Sequence, residues 1–278
     1  MNGLDFDALF GDLDQKALER VKMRGLPFLF AVVSWGCAAT AWLAKTLNSH
    51  PNVLCLHDAA QRWEAFGGAP QLDGWKYLRV LGVNGWSYDA VGDIHSISRA
   101  AIPELRSKLG DHFNCAILVR EPLPRLRSQL AHFERSSLLK STWNVDYVQK
   151  FIDRGVHLPQ DNIDNRLFLH GVNMLNSIIQ EEEVAPVWRC EDLTTNSVIL
   201  FRFVEELTRG RVEVERDWAE RAVSRPPTNR HRNPNMSARQ FEPWQIEAIC
   251  KIVEARAWRI YERLGYETPN FVALRRSD

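Results

Sequence analysis

Phe28-Leu-Phe-Ala-Val-Val-Ser34, running on into Trp35-Gly-Cys-Ala-Ala-Thr-Ala41, is the stretch that decides the fold. From Phe28 to Val33 every residue is apolar, and Gly25-Leu-Pro27 and Gly36 bracket the run. Continuous apolarity, rather than alternation, reads as a strand buried on both faces, the habit of parallel sheets. The residues after it are small, and 40–48 reads as a helix stopped by Ser49-His50-Pro51. A strand, a small-residue loop and a helix N-terminus together offer backbone N–H groups and a partial positive charge to an anion. The loop is not a Walker A motif, because no Gly-Lys-[Ser/Thr] opens the helix. On spacing alone, a tight turn packed for its own sake reads equally well.

Working outward, further strands are expected at 53–56, 91–95, 115–119 and 185–189. Helices are expected at 21–24 (the end of an N-terminal one), 102–109, after 119 through Phe133, 162–180, 197–207 and 243–264. Gly265 is placed as the C′ residue of the last. Alternating strands and helices imply an α/β fold, its mostly parallel sheet covered by helices on both faces. In such sheets ligands sit at the carboxyl ends of the strands. The expected organisation is a single domain over 1–278, with an N-terminal extension at 1–24. An irregular insertion at 59–90, rich in aromatics such as Trp63, Phe66, Trp75, Tyr77, Trp86 and Tyr88, is expected over a pocket.

The bulk numbers narrow the function classes. The 278 residues are 45% hydrophobic, enough for a large core. Lys plus Arg equals Asp plus Glu, 35 against 35, so the global basic field of a nucleic-acid binder is missing. An anion must be held by a local cluster. The acidic start, 1–14, is expected not to be a signal peptide, and no run is long enough to span a bilayer. Five scattered cysteines, none at CxxC spacing, suggest thiols rather than zinc ligands or disulfides, and a cytoplasmic protein.

The wording of two segments adds a family. Trp42-Leu-Ala-Lys-Thr-Leu-Asn-Ser-His-Pro51 resembles the segment after the 5′-phosphosulfate loop of sulfotransferases that use 3′-phosphoadenosine 5′-phosphosulfate (PAPS). Arg120-Glu-Pro-Leu-Pro-Arg-Leu-Arg-Ser128 resembles their 3′-phosphate site: a strand-end arginine, an acidic-Pro turn and a helical serine eight residues on. The resemblance implies a P-loop-like, three-layer α/β fold with a mostly parallel central sheet, and transfer of a sulfuryl group from PAPS to a hydroxyl, without a metal. It assigns the donor to Gly36, Cys37, Ala38, Ala39, Thr40, Ala41 and Trp42, with Arg120 and Ser128 on the 3′-phosphate. The match is incomplete: where the family's loop carries a basic residue this chain has Cys37, and of that loop only Thr40 is kept.

An arginine at a strand's carboxyl end presents a planar fork of donors to a phosphate. Arg125 and Arg127, by contrast, read as solvated helix charges. Arg230 and Arg232 fall in a late basic loop that the family brings onto the 3′-phosphate. For the base, the resemblance offers His95, ending a strand 25 residues before Arg120, and a neutral imidazole suits that work. Asp58, with His57 beside it, is the rival. In Trp188-Arg-Cys-Glu-Asp-Leu193, Glu191 and Asp192 read as residues of a helix start. A carbohydrate or a small-molecule hydroxyl is the expected acceptor. A catalytically impaired nucleotide-binding module and a P-loop kinase remain the alternatives.

Overall fold

The computed structural model describes residues 15–34, 38–57, 74–135, 145–225 and 241–268. Gly36, Cys37, Asp58, Arg230 and Arg232 lie outside the described residues, as do Trp63 and Phe66. Contacts group the chain into two compact units, one drawn from Met1–Val119 and Val184–Asn229, the other from Arg120–Glu183 and Arg230–Asp278.

The strands are β1 (Phe28–Val33), β2 (Val53–His57), β3 (Ala90–Ile94), β4 (Phe113–Val119) and β5 (Val187–Arg189). The helices, in chain order, are α1 (Gln15–Arg24), α2 (Thr40–Leu47), α3 (Gly74–Asn84), α4 (Ile102–Leu109), α5 (Pro122–Arg135), α6 (Gln149–Asp153), α7 (Ile163–Asn173), α8 (Ile178–Glu181), α9 (Cys190–Thr195), α10 (Ser197–Thr208), α11 (Arg216–Val223), α12 (Pro243–Ile252) and α13 (Ala255–Arg263).

The five strands among the described residues are in the first unit and pair in parallel, in the order β2-β3-β1-β4-β5. The α/β fold expected from β1 is therefore present. Phe28, Phe30 and Val32 face one layer, packed with Leu43 and Leu47 of α2, Leu200 and Phe203 of α10, and Trp218 of α11. Each such side chain removed from water contributes about 1.5–3 kcal/mol. Leu29 points the other way, toward α3, where Gly82 permits close approach: a Cβ there would lie 2.8 Å from Leu29 Cδ2. Gly92 of β3 is needed for the same reason, since a Cβ would overlap the Phe30 ring and carbonyl oxygen.

The chain leaves β1 for β2 on one side, and β4 for β5 on the other. Their carboxyl ends thus flank a topological switch point, the position where such sheets open a crevice.

Four expectations are corrected. The stretch 59–90 is not irregular throughout, because α3 occupies Gly74–Asn84 and Tyr77 is buried in it. The helix expected over 162–180 gives way to a 3-10 turn at Met174–Ser177 between α7 and α8. That expected over 243–264 breaks at Val253 and Glu254, where Asn176 intervenes: its Nδ2 donates to the Ile252 carbonyl (2.9 Å) and its Oδ1 accepts from the Glu254 amide (2.8 Å). Arg125 is not solvated but buried, 4% exposed, as described below. Gly265 does close α13, at φ 81°, with Tyr266 N–H reaching back to the Tyr261 carbonyl at 3.0 Å, a Schellman ending.

Candidate functional site

The carboxyl edge of the sheet gathers three of the sequence-predicted residues. His57 ends β2 and His95 follows β3, its neighbour, so both imidazoles emerge at one level. Their rings stack, centroids 6.4 Å apart and planes 17° from parallel. Thr40, the first residue of α2, places Oγ1 2.9 Å from His57 Nε2.

His95 is held tightly. Its amide donates to the Val32 carbonyl (3.0 Å), extending the ladder one residue past β3, and its Nδ1 lies 2.6 Å from the Ser34 carbonyl oxygen. A carbonyl only accepts, so Nδ1 bears the hydrogen and, in the neutral ring, Nε2 keeps the lone pair. The residue sits at φ 84°, in the left-handed region that a side chain disfavours. Such strain is of order 1–3 kcal/mol and persists where surrounding contacts over-determine it.

Between β1 and α2 the described part of the loop turns sharply, with Ala39 at φ 56°, ψ 25°. Ala38 and Trp42 are packed in the core, Trp42 Nε1 donating to the Arg225 carbonyl at 3.3 Å, while Ala41 is half-buried. The hydroxyl of Ser34, at the end of β1, is buried and has no hydrogen-bond partner among the described residues.

The Asn48-Ser-His-Pro51 wording has an architectural use. Asn48 exchanges hydrogen bonds with the backbone of Cys55, locking the end of α2 to β2. Ser49 accepts from Trp218 Nε1 at 3.1 Å. His50 accepts the Asn52 amide on Nδ1 and reaches the Glu213 carbonyl with Nε2.

In the second unit, Arg120 is the residue after Val119 of β4, and Ser128 lies buried within α5, which Pro122 opens. Arg125 of the same helix donates to Tyr261, whose hydroxyl donates to the Leu175 carbonyl (3.2 Å). Burial pushes that phenol up to about 12, with buried Glu181 adding to the rise. The Arg127 guanidinium stands 4.8 Å over the Phe241 ring. Elsewhere in this unit Tyr147 Oη lies 2.7 Å from His170 Nδ1, and burial drives His170 down to about 4.

Sequence reasoning missed Asp93, and took Tyr77 only as one aromatic of the expected insertion. Asp93, in the middle of the sheet, is fully buried; Oδ2 accepts from Tyr77 Oη at 2.7 Å and Oδ1 from the Ser96 amide at 2.8 Å. Burial first, and the Asp93 charge second, raise the Tyr77 pKa, so it stays a proton donor. A polar residue inside Val91-Gly-Asp-Ile-His95 was the one available signal. The thiols of Cys55 and Cys115 are pushed up by burial, which makes them poor nucleophiles. Glu191 and Asp192 fall in the first turn of α9, as expected. Among the described residues no helix is long and apolar enough to cross a membrane, and no cluster of three or more metal-ligating side chains occurs.

No protein-family model and no curated protein sequence matches the chain. Among solved structures, a sulfotransferase from Alicyclobacillus acidocaldarius is similar at 16% identity and TM-score 0.46, covering 88% of this chain and 98% of its own. The sulfotransferase domain from the curacin biosynthetic pathway is similar at 14% identity and TM-score 0.43, covering 88% and 99%.

Proposed function

We propose that this chain is a sulfotransferase that moves a sulfuryl group from PAPS to a hydroxyl of a carbohydrate or small molecule. The observation that carries the reading is the arrangement at the sheet's carboxyl edge: His95, with Nδ1 committed to the Ser34 carbonyl, stacked on His57, which meets Thr40 at the start of α2. The wording of 42–51 and 120–128 supplies the donor.

His95 Nε2 is the base. It takes the acceptor's hydroxyl proton as that oxygen forms its bond to sulfur and the bond from sulfur to the donor's phosphate oxygen breaks. The imidazolium so formed is stabilised by the hydrogen bond from Nδ1 to the Ser34 carbonyl, much as an orienting partner serves other catalytic histidines. Thr40 Oγ1 and the first amides of α2 bind the 5′ end of the donor. The buried Ser34 hydroxyl, without a partner among the described residues, stands at the mouth of the same loop and fits an anionic oxygen, for which it would supply a donor. Arg120 and Ser128 bind the 3′-phosphate, with Arg230 and Arg232 as further cations for it. With Cys37 at the loop's usual basic position, charge on the leaving oxygen must be met by other donors, and catalysis is positioning plus electrostatics.

Thermal unfolding with 3′,5′-adenosine bisphosphate, AMP, or ATP with Mg²⁺ tests the reading. A ligand held only by the folded chain, at a hundred times its Kd, adds about 2.7 kcal/mol. Stabilisation by the bisphosphate alone is expected, followed by transfer to a screened acceptor. Stabilisation by ATP with Mg²⁺ alone would replace this reading with a kinase.

A further inference from the structure

We infer that Asp93 and Tyr77 are positioning residues for His95, holding the turn that fixes its tautomer and aims Nε2. This rests on the reading of His95 as the base.

The turn Asp93-Ile94-His95-Ser96 is clamped from both sides. Upstream, the ladder fixes the His95 amide on Val32; downstream, the Ser96 amide is tied to Asp93 Oδ1 at 2.8 Å. His95 sits between these two ties at φ 84°. A residue left to itself would leave that conformation, and its ring would then leave the Ser34 carbonyl. The downstream tie is only as rigid as the carboxylate that makes it. Asp93 is 0% exposed, and its second oxygen is fixed by Tyr77 Oη at 2.7 Å from the buried face of α3. The line of support runs from α3 through Tyr77 and Asp93 to Ser96, and so to His95.

A buried carboxylate is costly to keep in a sheet. Replacing Asp93 and Tyr77 by an apolar pair of similar shape would serve packing alone equally well. Their placement two residues before a strained histidine gives the carboxylate a use that packing does not.

The test reads the imidazole itself, in the full chain labelled with ¹⁵N-histidine, with His95→Gln used to assign its signals. Wild-type His95 is expected to show a protonated Nδ1 and a bare Nε2. Asp93→Ala is expected to mix the two tautomers and lower kcat on the order of 100-fold, the scale of a misplaced catalytic group, with the donor KM unchanged. Asp93→Asn, which keeps an oxygen for the Ser96 amide, should restore the single tautomer. Should Asp93→Ala not fold, Tyr77→Phe, which deletes one oxygen, carries the test through the same spectrum. A single Nδ1–H tautomer in Asp93→Ala, or in Tyr77→Phe where that stands in, overturns the inference. A tautomer that shifts as expected in a protein that transfers no sulfuryl group would sustain the positioning role while removing the proposed activity.

Discussion

Thr40 Oγ1 and His57 Nε2 meet at 2.9 Å, joining the first turn of α2 to the last residue of β2. The bond orients the hydroxyl beside the α2 amides. Thr40→Val removes it at nearly constant shape, and is expected to weaken binding of 3′,5′-adenosine bisphosphate by about 1 kcal/mol, roughly fivefold. Thr40→Ser should recover the affinity. Titration calorimetry on the two variants decides it, and equal affinities would take Thr40 out of the donor site.

His95→Ala should lower kcat by about 10²–10⁴, the usual contribution of a general base, and leave bisphosphate affinity within twofold. Single-turnover transfer measures the first and calorimetry the second. A full-rate His95→Ala enzyme, with Asp58→Ala inactive, would hand the role of base to Asp58.

Arg120→Ala should cost about 1.5–3 kcal/mol in bisphosphate binding, the range for a hydrogen bond to a charged group. AMP, which lacks the 3′-phosphate, should bind the variant and the wild type alike. Loss of AMP binding would mean that Arg120 supports the fold rather than reads the phosphate.

His170 gives a pH signature. Its folded pKa, about 4, is below the unfolded value near 6.5 because the ring is buried. Between these values the unfolded chain binds a proton that the folded chain does not, so stability falls as pH drops from 6.5 to 4. Urea midpoints at pH 7.5 and 4.5 should lie closer together in His170→Gln than in wild type. An unchanged gap would assign the acid sensitivity to other groups.

Gly92→Ala forces a methyl into the Phe30 ring and carbonyl at the centre of the sheet. Overpacking of this kind costs about 3 kcal/mol or more where backbone cannot move aside. The urea midpoint should drop with the m-value unchanged.

The strands were legible because doubly buried strands carry unbroken apolar runs, and Phe28–Val33 and 115–119 are such runs. Helix α3 was hidden by Gly82, which reads as a loop signal but is the small residue that lets the helix settle on Leu29. The break between α12 and α13 left no local trace. Apolar periodicity continues across it, and the side chain responsible, Asn176, is far away in sequence. Burial of Arg125 was invisible for a similar reason, since its partner Tyr261 lies on another helix. At the site, Thr40, His57 and His95 came from family-like wording and strand-end position. Asp93 did not, because a lone acid within an expected strand carries no sign of its partner, and Tyr77 fell in a stretch read as irregular.

The order of the sheet also bears on how the chain is born. Among the described strands β1 is synthesised first, yet its two neighbours are β3 and β4, and Ala90, the partner of Phe28, is made about 60 residues later. At roughly 5–20 residues per second the nascent strand therefore waits several seconds outside the ribosome, apolar on both faces and with both edges bare. Phe28-Leu-Phe-Ala-Val-Val33 is thus the segment that a chaperone would bind first, and the segment through which crowded nascent chains would stick together.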